Sequence, residues 1–215
     1  MAGFQSLANR AMTLDERGRG TGAMSDQVTD EAGVERLVEE IGRLRGHIAQ
    51  LQERVELLDQ LAHQDTLIDL PNRRGFMREI ERLIDRAKRY GHSAAMLFVD
   101  VDGLKMINDT FGHRAGDEAL IQVAQLLARG VRRSDVVARI GGDEFGILLE
   151  NASDESAHET AARLVDLICG CEYMHDGDAL PLSVAIGVAM IDGDDSCEAV
   201  MAVADEEMYR RKAAA

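Results

Sequence analysis

Aliphatic residues repeat every seven positions in the second part of the chain. Two rows with this period form an apolar seam: Leu37, Leu44, Leu51, Leu58, Ile41, Ile48, Val55 and Ala62. Most positions between the rows are polar or charged. An apolar seam over four heptads predicts a parallel dimeric coiled coil over residues 34–64. The alternative is one amphipathic helix packed on its own domain, although such helices usually carry a wider apolar stripe.

Residues 1–33 and 65–215 differ from this segment and from each other. The first 33 residues are rich in Gly, Ser, Thr, Ala and charge without a sustained period, which predicts a flexible tail. After residue 65, helical periodicity alternates with short apolar runs of strand length at 94–101, 136–140, 145–149 and 182–191. The pattern predicts one α/β domain with a mixed sheet, in which the second and third runs form a hairpin.

Charge and cysteine content exclude several classes of protein. The net charge of −15 argues against a nucleic-acid binder that works by neutralising phosphates. Three cysteines without a CxxC pair or zinc-type spacing make a disulfide framework or structural zinc improbable. No apolar run approaches ~18 residues and no signal-peptide pattern opens the chain, so we expect a cytoplasmic protein without a membrane partner.

Acidic residues cluster at two predicted turns. Asp100 and Asp102 end the first apolar strand, and Gly141-Gly142-Asp143-Glu144 joins the two hairpin strands. Carboxylates from two turns are what a folded magnesium site requires, because Mg²⁺ prefers hard oxygen ligands and often retains substrate phosphates. Taken alone, an acidic hairpin is more often a solvated turn.

A polar segment from Lys105 to Asp117 is predicted to be a loop between a strand and a helix. It contains a cation, an amide and a carboxylate (Lys105, Asn108 and Asp117) that could bind a phosphate and a purine edge. The alternative is that Asn108 and Asp117 only cap turns and helices.

Four segments in order resemble the GGDEF-domain diguanylate cyclase family. They are DTLIDLPNRR at 65–74, FVDVDGLKMINDTFGHRAGD at 98–117, GGDEF at 141–145 and ADEEMY at 204–209. The resemblance implies a GGDEF fold with a mostly antiparallel central sheet flanked by helices, preceded here by the coiled-coil helix. It also implies synthesis of cyclic di-GMP from two GTP, by two domains that each hold one nucleotide and meet head to head.

The resemblance implies roles for individual residues. Two Mg²⁺ or Mn²⁺ ions per active site would be held by Asp100, the carbonyl of Val101, Asp143 and Glu144. Asp143 is also the family's proposed proton acceptor.

Substrate contacts follow from the same resemblance. Lys105 would stabilise phosphate charge in the transition state, and Lys212 would contact the triphosphate. Asn108 and Asp117 match the guanine-reading pair, while His113 lies in the same segment and Gly142 lets the backbone approach the substrate.

The family's inhibitory RxxD site is matched by Arg132 and Asp135, and five residues separate Asp135 from Gly141. Arginine forks suit phosphates and stack on guanine, so cyclic di-GMP would be the ligand. Arg163 and Arg86 are candidates for completing this site.

Two departures from the family pattern concern the ends of the domain. Ile68 and Asp69 replace the usual Thr and Gly, and three alanines follow Lys212 where many members continue with basic residues and glycine. We expect Ile68 and Asp69 to change the shape of the turn at the start of the domain. We expect the alanines after Lys212 to leave one phosphate contact missing.

The sequence therefore favours an active, product-inhibited diguanylate cyclase that works as a coiled-coil dimer. The first alternative is a catalytically silent effector that binds cyclic di-GMP, and the second is a coiled-coil scaffold with a vestigial domain.

Overall fold

A computed structural model describes residues 23–214 of the chain. Helix α1 spans Ala23–His63, and a boundary between two compact units falls within it, after Val55. Residues 23–33 were expected to belong to the flexible tail, but they are helical. No glycine or proline occurs between residues 23 and 32 to interrupt the helix. The prediction for residues 1–22 lies outside the described residues.

The seam of α1 is exposed along the first unit. Its six residues from position 37 to position 55 have exposed fractions of 47–64%: Leu37, Ile41, Leu44, Ile48, Leu51 and Val55. Apolar side chains on such a regular stripe are typical of a helix that pairs with another helix.

The second unit, residues 56–215, alternates helices and strands. Its helices are α2 (Arg73–Tyr90), α3 (Leu104–Phe111), α4 (His113–Gly130), α5 (Asp154–Cys169) and α6 (Cys197–Ala214). Its strands are β1 (Ala94–Val101), β2 (Val136–Arg139), β3 (Glu144–Glu150), β4 (Glu172–His175), β5 (Asp178–Pro181) and β6 (Val184–Ile191).

Four of these strands form one sheet in the order β2-β3-β1-β6, and β4 pairs with β5 separately. Each neighbouring pair is antiparallel, which confirms the predicted sheet flanked by helices. Alternate residues of β1 enter two cores. Leu97 and Val99 pack with buried residues of α4 and α5, whereas Met96 and Phe98 pack with those of α2 and α6.

The turns that flank α2 show how local sequence defines its ends. The side chain of Asn72 accepts hydrogen bonds from the backbone N–H groups of Arg74 and Gly75 at the start of the helix. Gly91 ends it in the left-handed conformation, with φ 66°.

The prediction of a loop over residues 105–117 is wrong. Residues 104–111 form α3 and α4 begins at His113, with Gly112 between them at φ 86°. Leu104 and Ile107 are buried three positions apart, so one short apolar face anchors a helix whose other side is polar. The β4–β5 hairpin was also not predicted.

In the described part of the chain, no helix combines the length and apolar character needed to cross a membrane.

Candidate functional site

Two carboxylates face each other at one end of the central sheet. Asp100 is the next-to-last residue of β1 and pairs directly with Glu144, the first residue of β3. Directly paired residues lie on the same face of a sheet with Cβ atoms about 5 Å apart, so the two negative charges repel each other. Both follow the alternation that places Phe98 and Gly146 toward α2 and α6. The antiparallel register therefore creates an acidic edge.

Asp143 joins this edge through the backbone. Its carbonyl accepts a hydrogen bond of 3.0 Å from the N–H of Val101. The turn before Glu144 is closed because the N–H groups of Ile140 and Gly141 both donate to the carbonyl of Glu144, at 2.9 and 3.2 Å. Asp100, Val101, Asp143 and Glu144, the four predicted metal ligands, are therefore adjacent across two strands.

The environment of Glu144 favours its neutral form. Burial raises the pKa of this carboxyl, and the negative charges of Asp143, Asp100 and Asp205 raise it further. Arg73 opposes them. A carboxyl in such surroundings gains from any cation that reaches it.

Lys212 supplies a cation to the acidic edge from α6. Its ammonium group donates a hydrogen bond to Oδ1 of Asp100, and lies 3.6 Å from Oδ1 of Asp102. Oδ2 of Asp102 accepts a second bond, of 3.0 Å, from the hydroxyl of Ser183. The hydrogen bond to Asp100 raises the pKa of Lys212, although burial opposes it. This contact shows that the carboxylates at the end of β1 attract positive charge.

The donors at this edge fit a hard divalent cation. Carboxylate and carbonyl oxygens are the ligands that Mg²⁺ takes, and the lysine contact shows cation attraction there. Among residues 23–214, no three His, Cys, Asp or Glu side chains are grouped so that they could hold a metal ion. The three predicted carboxylate ligands, Asp100, Asp143 and Glu144, are therefore near one another along the strands without forming such a group.

Four of the predicted nucleotide contacts lie on α3 and α4: Lys105, Asn108, His113 and Asp117. Lys105 is exposed in the first turn of α3, and His113 is the exposed first residue of α4. Asn108 is partly buried against Gly116, where an added Cβ would lie 2.0 Å from its side-chain oxygen. The close approach of the two helices thus places Asn108 next to the residue that precedes Asp117.

Sequence reasoning missed Arg139, which fixes the turn at residues 141–143. One guanidinium nitrogen donates to the carbonyl of Gly142 at 2.7 Å, and another donates to Oδ1 of Asp65 at 3.2 Å. Oδ1 of Asp65 also accepts from the N–H groups of Leu67 and Ile68. Burial would raise the pKa of Asp65, but these backbone bonds and Arg139 outweigh it and lower the pKa. The position of Arg139, two residues before Gly141, was the available signal.

A cavity of about 270 Å³ brings the predicted inhibitory residues together. Arg132, Asp135 and Arg163 all line it. Asp135 accepts hydrogen bonds from the backbone N–H groups of Arg132, at 2.8 Å, and Glu150, at 3.3 Å. Arg163 donates to the carbonyl of Gly130 at 2.6 Å. The walls of this cavity are therefore held by bonds within the chain.

Arg86, the other candidate, lies in a neighbouring cavity of about 490 Å³. Its guanidinium pairs with Glu150 at 2.6 Å, and Glu150 lines both cavities. Of the two candidates, Arg163 is the one that shares a cavity with Arg132 and Asp135.

Comparison with known proteins supports the family resemblance seen in the sequence, within the second unit. Residues 62–215 match the family described as diguanylate cyclase, GGDEF domain. The diguanylate cyclase DgcP of Pseudomonas aeruginosa is 31% identical over 202 residues, which are 94% of this chain and 30% of that protein. The chain spans only 23% and 38% of two further curated relatives from the same species.

Solved structures have the same fold. The coiled coil and GGDEF domain of Caulobacter crescentus DgcB, in complex with c-di-GMP, matches with a TM-score of 0.75 and 24% identity, covering 83% of this chain and 95% of that one. The GGDEF domain of DgcB alone, also in complex with c-di-GMP, matches with a TM-score of 0.67 and 27% identity, covering 71% and 89%. The acidic edge, the polar α3–α4 pair and these matches agree, and the chain belongs to the GGDEF-domain diguanylate cyclase family.

Proposed function

We propose that the chain condenses two molecules of GTP into cyclic di-GMP with release of two pyrophosphates. The observation that carries this proposal is the acidic edge, where Asp100 and Glu144 face each other beside Asp143 and within reach of the Lys212 helix. A triphosphate needs positive charge to bind, and this edge recruits it.

The reaction needs one group to bind each part of GTP. Asn108 and Asp117 read the guanine, because Asp117 can accept hydrogen bonds from N1–H and the exocyclic amine, a pair of adjacent donors that adenine does not offer. Lys105 and Lys212 stabilise the charge on the phosphates. Two Mg²⁺ or Mn²⁺ ions, held by Asp100, Asp143, Glu144 and the carbonyl of Val101, would neutralise phosphate charge and lower the pKa of the 3′-hydroxyl. His113 and Gly142 complete the substrate contacts.

Bond formation occurs twice for each product molecule. The 3′-oxygen of one GTP attacks the α-phosphorus of the other, and the bond from this phosphorus to the β-phosphate bridging oxygen breaks. The 3′-hydroxyl proton goes to Asp143, and pyrophosphate leaves. The 3′-oxygen of the second GTP then attacks the α-phosphorus of the first in the same way, and this second bond closes the ring.

Each 3′-oxygen must reach a phosphate held by another GGDEF domain, so one copy cannot complete the reaction. Helix α1 raises the local concentration of the second domain if it pairs two chains. The exposed seam on α1 supports this homodimer.

Product inhibition is supported by the cavity around Arg132, Asp135 and Arg163. Guanidinium groups bind phosphate and stack on guanine, and a carboxylate accepts from the guanine edge. The complex of the similar DgcB GGDEF domain with c-di-GMP agrees with binding of this ligand by the family.

The test is incubation of the full chain with GTP and Mg²⁺, with cyclic di-GMP and pyrophosphate followed by chromatography. We expect product from the native chain, and a loss of at least about 100-fold in Asp143→Asn because a metal ligand and proton acceptor is removed. Asp166→Asn, at an exposed position of α5, is the matched control and should leave the rate unchanged. Binding of cyclic di-GMP without synthesis at any protein concentration would instead establish a silent effector.

A further inference from the structure

The turn of the β4–β5 hairpin fixes the position of a histidine. His175 and Asp178 pair directly, so only Asp176 and Gly177 form the turn, and both have positive φ, of 50° and 94°. A two-residue turn with two positive φ angles follows the natural twist of the strands, and Asp-Gly is a typical sequence for it. The end of β4, where His175 lies, is therefore defined by the residues that directly follow it.

One face of this hairpin packs inward. Tyr173 and Leu180 pair directly, and both contact the core that contains buried residues of α4 and α5. Alternate residues of a strand lie on the same face, so His175 lies on the inner face with Tyr173. The side chain of His175 is only 10% exposed, whereas Met174 on the opposite face is 55% exposed. A polar ring covered to this extent needs a hydrogen-bond partner.

His175 contacts both helices at the α3–α4 junction. Its Nδ1 lies 2.9 Å from Oε2 of Glu118 in α4. Because a carboxylate can only accept, Nδ1 carries a proton and donates it to this bond. The imidazole also meets the ring of Phe111, the last residue of α3, edge to face, with centroids 6.3 Å apart and planes at 76°. One side chain therefore connects the end of α3 to the start of α4.

Glu118 is prepared to accept the bond from His175. Its Oε1 accepts a bond of 2.9 Å from Nε of Arg114, which leaves Oε2 for the imidazole. The hydrogen bonds from Arg114 and His175 lower the pKa of Glu118, although burial opposes them. The acceptor is thus an ionised carboxylate, and hydrogen bonds to an ionised acceptor are stronger than those between neutral groups.

The two residues that His175 connects flank the segment assigned to guanine by the proposed function. The first comes three positions after Asn108, and the second directly follows Asp117. Gly112 joins the two helices at φ 86°, and its N–H donates to the carbonyl of Asn108 at 2.9 Å. Glycine permits rotation at such a link. The contacts of His175 on both sides oppose a rotation that would separate Asn108 from Asp117.

We propose that His175 is a positioning residue that sets the arrangement of Asn108 and Asp117, and thereby the preference of the site for guanine. It acts through Phe111 and Glu118 rather than on the substrate. The inference rests on the proposed function and adds a determinant of base specificity from the β4–β5 hairpin. This hairpin lies outside the four segments that resemble the family.

The first test compares two nucleotides that differ by one donor. The α,β-methylene analogues of guanosine and inosine triphosphate cannot release pyrophosphate, and inosine lacks the exocyclic amine that Asp117 is expected to bind. A hydrogen bond to a charged acceptor is worth about 10–100-fold in affinity, so the native full chain should prefer the guanosine analogue by that factor in calorimetry with Mg²⁺. In His175→Ala the preference should fall to about threefold or less.

Further variants separate the two contacts of the imidazole. His175→Phe keeps a ring beside Phe111, and His175→Asn keeps a donor for Glu118, so each should retain part of the preference for guanine. Met174→Ala, on the opposite face of the hairpin, is the control and should retain the native value. A native preference in His175→Ala, or an equal loss in Met174→Ala, would overturn the inference.

Hydrogen exchange tests the positioning without a nucleotide. Amides of residues 108–117 should exchange about fivefold faster in His175→Ala, because opening of this segment then breaks one hydrogen bond fewer. Amides of α5 should exchange at the native rate. Unchanged exchange at residues 108–117, or an equal increase in α5, would contradict a specific role for His175.

The two measurements distinguish this inference from the proposed function. If the native chain binds neither analogue but exchange at residues 108–117 rises in His175→Ala, the proposed function and the guanine preference fail, while the positioning of α3 and α4 by His175 stands. If the native chain makes cyclic di-GMP and His175→Ala changes neither the preference nor the exchange, only the positioning role fails.

Discussion

The acidic edge and the cavity around Arg132 and Asp135 are organised in opposite ways. At the edge, Asp100 and Glu144 repel each other and Lys212 from another helix compensates. In the cavity, Asp135 and Arg163 are held by backbone groups of the same region. The cavity is therefore organised by backbone groups close to it, whereas the edge takes its compensating charge from a helix distant in the sequence. The proposed synthesis should therefore be lost more readily than the proposed binding of cyclic di-GMP.

The strongest way to test this contrast is Asp100→Asn. The change removes a negative charge that attracts Lys212 and that the proposal assigns to metal binding, so we expect the rate of cyclic di-GMP synthesis to fall at least about 100-fold. Affinity for cyclic di-GMP, measured by calorimetry, should stay within about twofold. Equal loss of both would show that the two regions are not independent.

Arg132→Ala tests the cavity instead of the edge. Loss of a charge-assisted contact to phosphate costs about 1.5–3 kcal/mol, which predicts an inhibition constant about 10–100 times higher. The initial rate at low product should not change. Arg133→Ala is the matched control, because Arg133 is the exposed neighbour that does not line the cavity. A similar effect of both variants would contradict a specific role for Arg132.

The Asp65–Arg139 pair tests whether the edge depends on support from outside it. Both side chains are largely covered, at 16% and 14% exposure, so Arg139→Met should cost about 2 kcal/mol in free energy of unfolding. It should also slow synthesis more than it weakens cyclic di-GMP binding, because the Gly142 contact is lost.

The same pair predicts a pH dependence. The pKa of Asp65 is lowered on folding, so its contribution to stability is present above its unfolded pKa of about 3.9 and is lost as pH falls through the folded value. Asp65→Asn should therefore be less stable than the native chain at pH 7, and the difference should shrink below about pH 4. A constant difference in urea unfolding across this range would contradict the assignment.

The smallest effect is expected at the α3–α4 junction. Gly112 has φ 86° and ψ 163°, a conformation that costs other residues about 1–3 kcal/mol. Gly112→Ala should lower stability by roughly that amount and weaken GTP binding. Gly142→Ala, where no positive φ occurs and an added Cβ meets nothing within 4 Å, should leave stability nearly unchanged.

Sequence reasoning was successful where one local pattern suffices. The seven-residue period predicted a helix in α1, and the apolar runs around Gly141-Gly142 predicted the β2–β3 hairpin. The resemblance further pointed to Asp100 and Glu144, which pair directly across β1 and β3. Sequence reasoning failed for α3, because an eight-residue helix with two buried residues is too short to show a helical period. Arg139 was missed because its partner Asp65 lies 74 positions away, and only the fold reveals that distance in space.

The position of Lys212 depends on how α6 packs on β6, away from the acidic edge. A Cβ at Gly187 of β6 would lie 2.1 Å from the carbonyl oxygen of Ala204 and 2.2 Å from the backbone nitrogen of Met208. Helix α6 can therefore lie directly on the strand only above a residue without a side chain, and Lys212 follows Met208 by about one helical turn. Under the proposed function, substitution of Gly187 by a larger residue should displace α6 and weaken GTP binding through Lys212.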